Sequence, residues 1–422
     1  MRRMKHAAAA CALVLLLAVP VGAATGNQPK TIFEHAGKAW AVGRIAIGKP
    51  LKFRKGRLHV FTGRIVELVS AAQGEPRNIM LTYEVASDEM ANPFFKGDEE
   101  FFAPIELLPE HSYWRDNLPQ TPRHAVAGGR RNVFRGEEMA EAKRVLAPFL
   151  EGRKLKGKQR ATHEIAAAAA ALDSSIVRLR EDAARFLAAH PTLGRDFSDA
   201  ARPHVAKYLA SAAPTVERAA LIGAIGQGKV EAMTGDLEAL SKGSDAVAVA
   251  ALAALEAMGK PTPVDRLSAM TESKSTELRV FGAERLGRLA ARDAAALERS
   301  IRMIGPDNPE AVRIAAARGL GASGAAAAVE PLVKEMRRGD GASRAAAEAL
   351  AAIGGDPAHG ALKSALTEGR GETAAAAVHG LRRVRGCSDC GKLLAQQHEQ
   401  HPEQGVRDLI AVVMEMPVEH KH

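Results

Sequence analysis

Hydrophobic positions follow two different periods along this chain, and the change from one to the other divides it. Ile79, Leu81, Tyr83 and Val85 alternate with Asn78, Thr82 and Glu84, and Phe101, Ala103, Ile105 and Leu107 repeat the pattern. A period of two places one face of a strand in a core and the other in water. Runs rich in Val, Ile and Phe at Trp40–Ile47 and Leu58–Leu68 are interrupted by Gly43 and Gly63, as at the bulges and bends of a strongly curved sheet. Ala71–Arg77, with Gly74 and Pro76, reads as a turn. Residues 27–110 are therefore expected to form a small domain of roughly four to six antiparallel strands, as a barrel or compact sandwich.

From 111 to 160 the pattern weakens into a connecting region. Pro119, Pro122, Gly128 and Gly129 mark a loop, and Gly136–Leu150 predicts one amphipathic helix with Met139, Ala142, Val145, Leu146 and Leu150 on one face. Beyond it the helical period takes over and repeats. Apolar-to-glycine junctions recur at Ile225-Gly226, Met258-Gly259, Leu320-Gly321 and Ile353-Gly354, with Leu289-Ala290 and Val384-Arg385 as degenerate members. Their spacings are 33, 31, 31, 33 and 31 residues. In one unit Asn308 is placed to cap a helix with Pro309 in its first turn, Val312, Ala316 and Leu320 face inward, and Gly321–Gly324 turns the chain toward Val329, Leu332 and Met336. In the next, Ser343 and Asp356 are the expected caps. A longer unit spans Ser174–Ala210 and reverses near His190-Pro191. Two short helices per period of about 30 residues cannot bury their apolar faces alone, so neighbouring units must stack.

Stretches such as Arg344–Leu366, RAAAEALAAIGGDPAHGALKSAL, and Ala248–Leu267 resemble HEAT-type repeats of the short, alanine-rich variety also found in phycobilisome lyases. The resemblance covers roughly 173–400. It implies an all-α solenoid of about six helix pairs over 161–400, closed by a cap helix in 401–422, and a role in macromolecular contact. No residue matches a motif for lyase chemistry, so that activity does not carry over.

Composition sharpens the division. The chain has 422 residues, 46% hydrophobic, 25% charged and 4% aromatic, values that exclude global disorder and a multi-span membrane protein. Of the 17 aromatic residues 13 precede residue 150 and only Phe281 follows Tyr208, so the helical half must build its core from small side chains. At the start, Arg2, Arg3 and Lys5 precede an apolar run from Ala7 to Val19, then Pro20 and the small residues Gly22, Ala23 and Ala24. This is a secretory signal pattern over 1–24, with cleavage expected after Ala23 or Ala24 and a mature chain outside the cytoplasm, periplasmic or secreted. A membrane anchor is the rival reading, but a run of 13 residues is short against the ~20 that span a bilayer.

Cleavage removes three cations from the formal +9, leaving +6. Residues 111–160 hold 12 Lys/Arg against 5 Asp/Glu, whereas 173–386 hold 29 against 26. The excess is local and peaks at Arg153, Lys154, Lys156, Lys158 and Arg160. A solvated linker face explains that cluster, and a contact to an acidic partner, such as an envelope component, is its functional version. Export and the near-balanced second half argue against nucleic acid.

Cys387 and Cys390 are the only cysteines left after signal removal, in the sequence Cys-Ser-Asp-Cys between two expected helices. Outside the cytoplasm a disulfide is the default. Thiol exchange is the alternative, since a helix start lowers a thiol pKa, although no thioredoxin-like framework is apparent. Haem attachment needs His where Gly391 stands. His398 and His401 complete a C-x2-C-x7-H-x2-H spacing with zinc-type ligands, yet a helix would separate Cys390 from His398 by about 12 Å along its axis. His420 and His422 read as a solvated tail, and Leu409, Ile410, Val412 and Val413 as the inner strip of the closing helix. No serine-hydrolase elbow, H-E-x-x-H, phosphate loop or dinucleotide fingerprint occurs, and Glu137 and Glu138 read as helix surface. The expectation is an exported, non-catalytic scaffold or binding protein without a cofactor, contacting a protein partner through its repeats. A thiol redox or metal-handling protein centred on Cys387 and Cys390 is the alternative.

Overall fold

The computed structural model describes residues 29–51, 58–72, 74, 77–84, 94, 95, 97–108, 124–384 and 387–415. Residues 1–24, where a leader was expected, and Pro76, Val85, Pro119, Pro122, Arg385, His420 and His422 lie outside the described residues. Among the described residues the chain is mostly helical, with 19 helices beside one small sheet. It divides into two compact units. One runs through Gly243 and takes in Ala250–Lys260; the other takes in Ser244–Val249 and the residues from Pro261 on.

The first unit opens on a helix that the strand pattern did not announce, α1 (Ile32–Lys38). Its signal is the Thr31-x-x-Glu34 capping box: Glu34 N–H donates to the Thr31 hydroxyl and Thr31 N–H to the Glu34 carboxylate at 2.7 Å. Five strands follow: β1 (Ala41–Leu51), β2 (Leu58–Ala71), β3 (Asn78–Glu84), β4 (Glu99–Leu107) and β5 (His124–Val126). They close into a barrel in the order β1-β2-β3-β5-β4. The expectation of a purely antiparallel sheet is corrected at one seam, because β3 and β5 run parallel at Leu81 and His124. A closed five-stranded Greek-key barrel of this order is of the OB type. The closing strand β5 falls inside 111–160, where only a loop and one helix were expected; three residues are too few for a readable alternation.

The glycines do what curvature requires. β1 slips register between Val42 and Gly43, and a Cβ on Gly43 would stand 2.2 Å from the Glu67 carbonyl oxygen. Ile45, Phe61, Leu81, Phe101 and Ile105 fill the barrel. Outside it, α2 (Glu138–Glu151), α3 (Gly157–Ala171) and α4 (Val177–Ala189) pack in succession. α1 lies against α2, α4 and β4. Phe33, Phe149 and Phe186 bind these three helices by ring contacts at 5.1, 5.5 and 5.4 Å. Where a reversal was expected near His190-Pro191, α4 ends at Ala189 and a turn follows at Pro191 and Thr192. Then come α5 (Leu193–Asp196), α6 (Arg202–Ala210), α7 (Thr215–Gln227) and α8 (Thr234–Leu240). Helix α9 (Ala246–Ala257) is divided between the two units.

The second unit is all helix: α10 (Val264–Thr271), α11 (Thr276–Leu289), α12 (Ala294–Met303), α13 (Glu310–Ser323), α14 (Val329–Met336), α15 (Ser343–Ile353), α16 (Gly355–Thr367), α17 (Gly371–Arg383), α18 (Ser388–Gln400) and α19 (Gln404–Glu415). The odd members α11, α13, α15, α17 and α19 pack side by side, and even members pack on their odd neighbours. Of the inward set read from the spacing, Val312, Ala316, Leu320, Leu332 and Met336 are buried, and Val329 is half-buried against the core. Alanine buries little area per residue, at ~25 cal/mol per Å², so close approach of backbones must compensate. The expected caps shift by a residue or two. Pro309 rather than Asn308 occupies the cap of α13, and Asn308 donates to the Arg302 carbonyl at 2.9 Å. Ser343 is the first residue of α15, and Asp356 lies inside α16.

Candidate functional site

Cys387 occupies the N-cap of α18, in the turn after α17, whereas Cys390, expected in the same turn, lies in the first turn of α18 itself. The two sulfurs stand at 2.04 Å with their Cα atoms 5.5 Å apart. Cys390 is buried among the apolar residues of the second unit, and Cys387 in front of it is only half-buried. His398 is exposed on α18 and its Nδ1 donates to the Arg407 carbonyl at 3.1 Å. His401 ends that helix fully buried; its Nδ1 accepts from the Glu403 amide at 3.2 Å, and its Nε2 has no partner among the described residues. The four residues of the zinc-type spacing are thus committed separately. Among the described residues, no group of three or more His, Cys, Asp or Glu side chains is placed to hold a metal ion.

The basic cluster is split by its own packing. Arg153 leans on the barrel, with Nη1 3.3 Å from the Ser70 hydroxyl on β2. Burial, and after it the charge of Arg160, holds its guanidinium below the ordinary arginine value. Arg160 pairs with Glu164 one turn along α3 at 2.7 Å. Lys154, Lys156 and Lys158 stay exposed.

In the same unit the fold gathers groups that no sequence pattern singled out. Asp173 takes His204 Nδ1 and, at 2.7 Å, Lys207. Next to it the Ser174 hydroxyl donates to Glu141 at 2.7 Å. A serine, a histidine and an aspartate therefore lie close together without forming a nucleophile-base relay, because the serine is bound to a different carboxylate. Glu141 is the anchor here: its hydrogen bonds from Arg144 outweigh burial and, with those from Ser174 and the Ser175 amide, lower it to about 2. In the second unit, Arg313 of α13 reaches Glu335 of α14 at 2.7 Å and Asp340 at 2.8 Å. Burial raises Glu335 even with Arg313 against it. Separations of 22 and 27 residues keep these pairs invisible to any local pattern.

No protein-family model and no curated protein matches the chain. Among solved structures, it is similar to human deoxyhypusine hydroxylase in complex with glycerol, at 17% identity and a TM-score of 0.28, over 61% of this chain and 97% of that one.

Proposed function

We propose that this is an exported, non-catalytic binding protein, a HEAT-like array of helix pairs that holds a protein partner, with the barrel fastened to its first helices. One observation supports the reading above the rest: alanines and glycines seal adjacent odd helices of the second unit at backbone distance, while their outer positions carry charge. Such a face offers many modest contacts and no cavity chemistry. The exposed Lys154, Lys156 and Lys158 supply a second contact for an acidic envelope component. The test has two parts. The product recovered from the extracytoplasmic fraction should begin at Ala24 or Thr25 on N-terminal sequencing. Cross-linking of the full mature chain in that fraction should then give a defined heteromeric species through the helical region. A product retained in the cytoplasm, or a chain that cross-links to nothing, overturns the proposal.

The placement of the cysteines favours a second reading. A half-buried Cys387 at a helix N-cap in front of a buried Cys390 is an arrangement suited to thiol exchange. On that reading the purified chain, supplied with a small-molecule thiol that re-reduces the Cys387–Cys390 bond, reduces protein disulfides catalytically, and Cys387→Ala abolishes the turnover while the fold survives.

A further inference from the structure

Four successive odd helices of the second unit are drawn together by small residues. A Cβ on Gly319 of α13 would lie 2.3 Å from the Glu284 carbonyl oxygen of α11. One on Gly321 would lie 2.7 Å from the Ala349 Cα of α15, and one on Gly380 of α17 2.9 Å from the Ala347 carbonyl oxygen. These helices pack side by side, and their exposed cations are all arginines, a row of one from each helix: Arg288, Arg318, Arg344 and Arg383.

The carboxylates of this row are outnumbered. Glu284 is shared by Arg285 at 3.2 Å and Arg288 at 2.6 Å. Glu348 is shared by Arg344 of its own helix and Arg383 of the next, each at 3.0 Å. His379 registers the resulting field: burial first, then the charge of Arg344, holds its imidazole below the ordinary value. Helix dipoles do not account for the row. A cation suits the last turn of a helix, where Arg288 and Arg383 sit, but Arg344 stands in the first turn of α15, where the dipole opposes it.

We infer that this arginine row is the face on which an Asp/Glu-rich segment of a protein partner docks. The inference rests on the binding reading above and names its surface. Guanidinium forks grip carboxylates through two parallel hydrogen bonds, which lysine cannot do. The side chains of Arg288, Arg344 and Arg383 are 53, 59 and 61% exposed, and ion pairs this exposed hold weakly, so incoming carboxylates can compete for them. Nucleic acid fits less well: the one aromatic residue on these four helices, Phe281, is buried beneath Arg285, leaving no base-stacking platform. A lipid surface also fits less well, since among the described residues none of these helices exposes a large apolar side chain.

The test measures binding of a labelled Asp/Glu-rich peptide, a single-stranded DNA of equal charge and phosphatidylglycerol vesicles to the full chain. The peptide should bind most tightly, and more weakly as salt rises. Replacing Arg288, Arg318, Arg344 and Arg383 together by Gln should cost at least about tenfold, and replacing them by Lys several-fold despite unchanged charge. Should the quadruple variant fold poorly, Arg318→Gln and Arg344→Gln singly should each cost about twofold, with melting curves matched to the parent. Peptide binding that ignores these substitutions, or DNA or vesicle binding as tight as the peptide's, overturns the inference. A heteromeric cross-link that persists in the quadruple variant would sink this surface and leave the binding proposal standing.

Discussion

The carboxylate of Asp182 on α4 accepts a 2.8 Å hydrogen bond from the backbone amide of Ile32, 150 positions earlier in the chain. Ile32 opens α1, so its N–H is one of the donors a helix cannot satisfy internally. Arg131, at 2.6 Å, and Arg185 bind the same carboxylate, whose side chain is 3% exposed. One buried anion therefore ties together the leading helix, the turn after β5 and α4. Asp182→Asn keeps an acceptor for Ile32 but leaves two arginines facing a neutral group. We expect a loss of ~2–4 kcal/mol in urea unfolding; an unchanged midpoint would show that the charge contributes nothing there.

Glu141 makes stability depend on pH in a definite direction. Its folded pKa of about 2 lies below the ordinary 4.5, chiefly through its hydrogen bonds with Arg144. The folded state thus holds this proton less tightly than the unfolded chain. The stability it lends is complete above 4.5 and is lost as the pH falls toward about 2. Glu141→Gln should lower stability by ~1–3 kcal/mol at neutral pH, and parent and variant should converge across that acidic window. A difference independent of pH would mean that the packing of the side chain matters and its charge does not.

Two glycines three residues apart have opposite reasons to be glycine. A Cβ on Gly321 would press to 2.7 Å on the Ala349 backbone, so Gly321→Ala must part α13 from α15, at ~1–3 kcal/mol. Gly324 has open space around it but a φ of 71°, so Gly324→Ala costs only left-handed strain, ~1–2 kcal/mol. Gly324→Asn should recover most of that loss, since Asn tolerates the left-handed region, whereas Gly321→Asn should be worse than Gly321→Ala. Thermal midpoints of the four variants decide it, and equal responses at both positions would refute the distinction.

That contrast marks how far the sequence could be read. The recurrence of Gly226, Gly259, Gly321 and Gly354 was visible, and with it the pairing of helices. The job of each was not. Gly226 and Gly321 lie inside helices and admit Ala254 and Ala349, while Gly259 and Gly354 adopt positive φ at helix ends. Spacing reports that a small residue is needed, and only packing reports why. Strands β3 and β4 were legible by alternation, and β1 and β2 as Val-, Ile- and Phe-rich runs broken by glycine, but α1 was hidden because seven residues are barely two turns, and only its capping box announced it. Among candidate site residues, Cys387 was placed between two helices, whereas Cys390, three residues on, falls inside the first turn of α18. The Asp182, Arg313 and Glu348 pairings join positions dozens of residues apart or on different helices, and no local window contains them.

The cysteine pair gives the sharpest division between the two functional readings. Only two residues separate Cys387 from Cys390, so a bond between them restricts the unfolded chain little, by ~1–2 kcal/mol on a loop-entropy basis. Cys390 also packs with Leu394, Val406 and Ile410, so replacing it by Ala forfeits apolar contact as well. On the binding reading, Cys387→Ala lowers stability by the small entropic amount, reductant does the same to the parent, and partner capture survives both treatments. On the thiol-exchange reading, the Cys387→Ala chain stays folded but loses the ability to turn over disulfide substrates. A parent chain with no turnover and a folded Cys387→Ala chain with undiminished partner capture would dispose of the second reading. Catalytic turnover by the parent that vanishes in Cys387→Ala would move the function from the helical faces to the N-terminal end of α18.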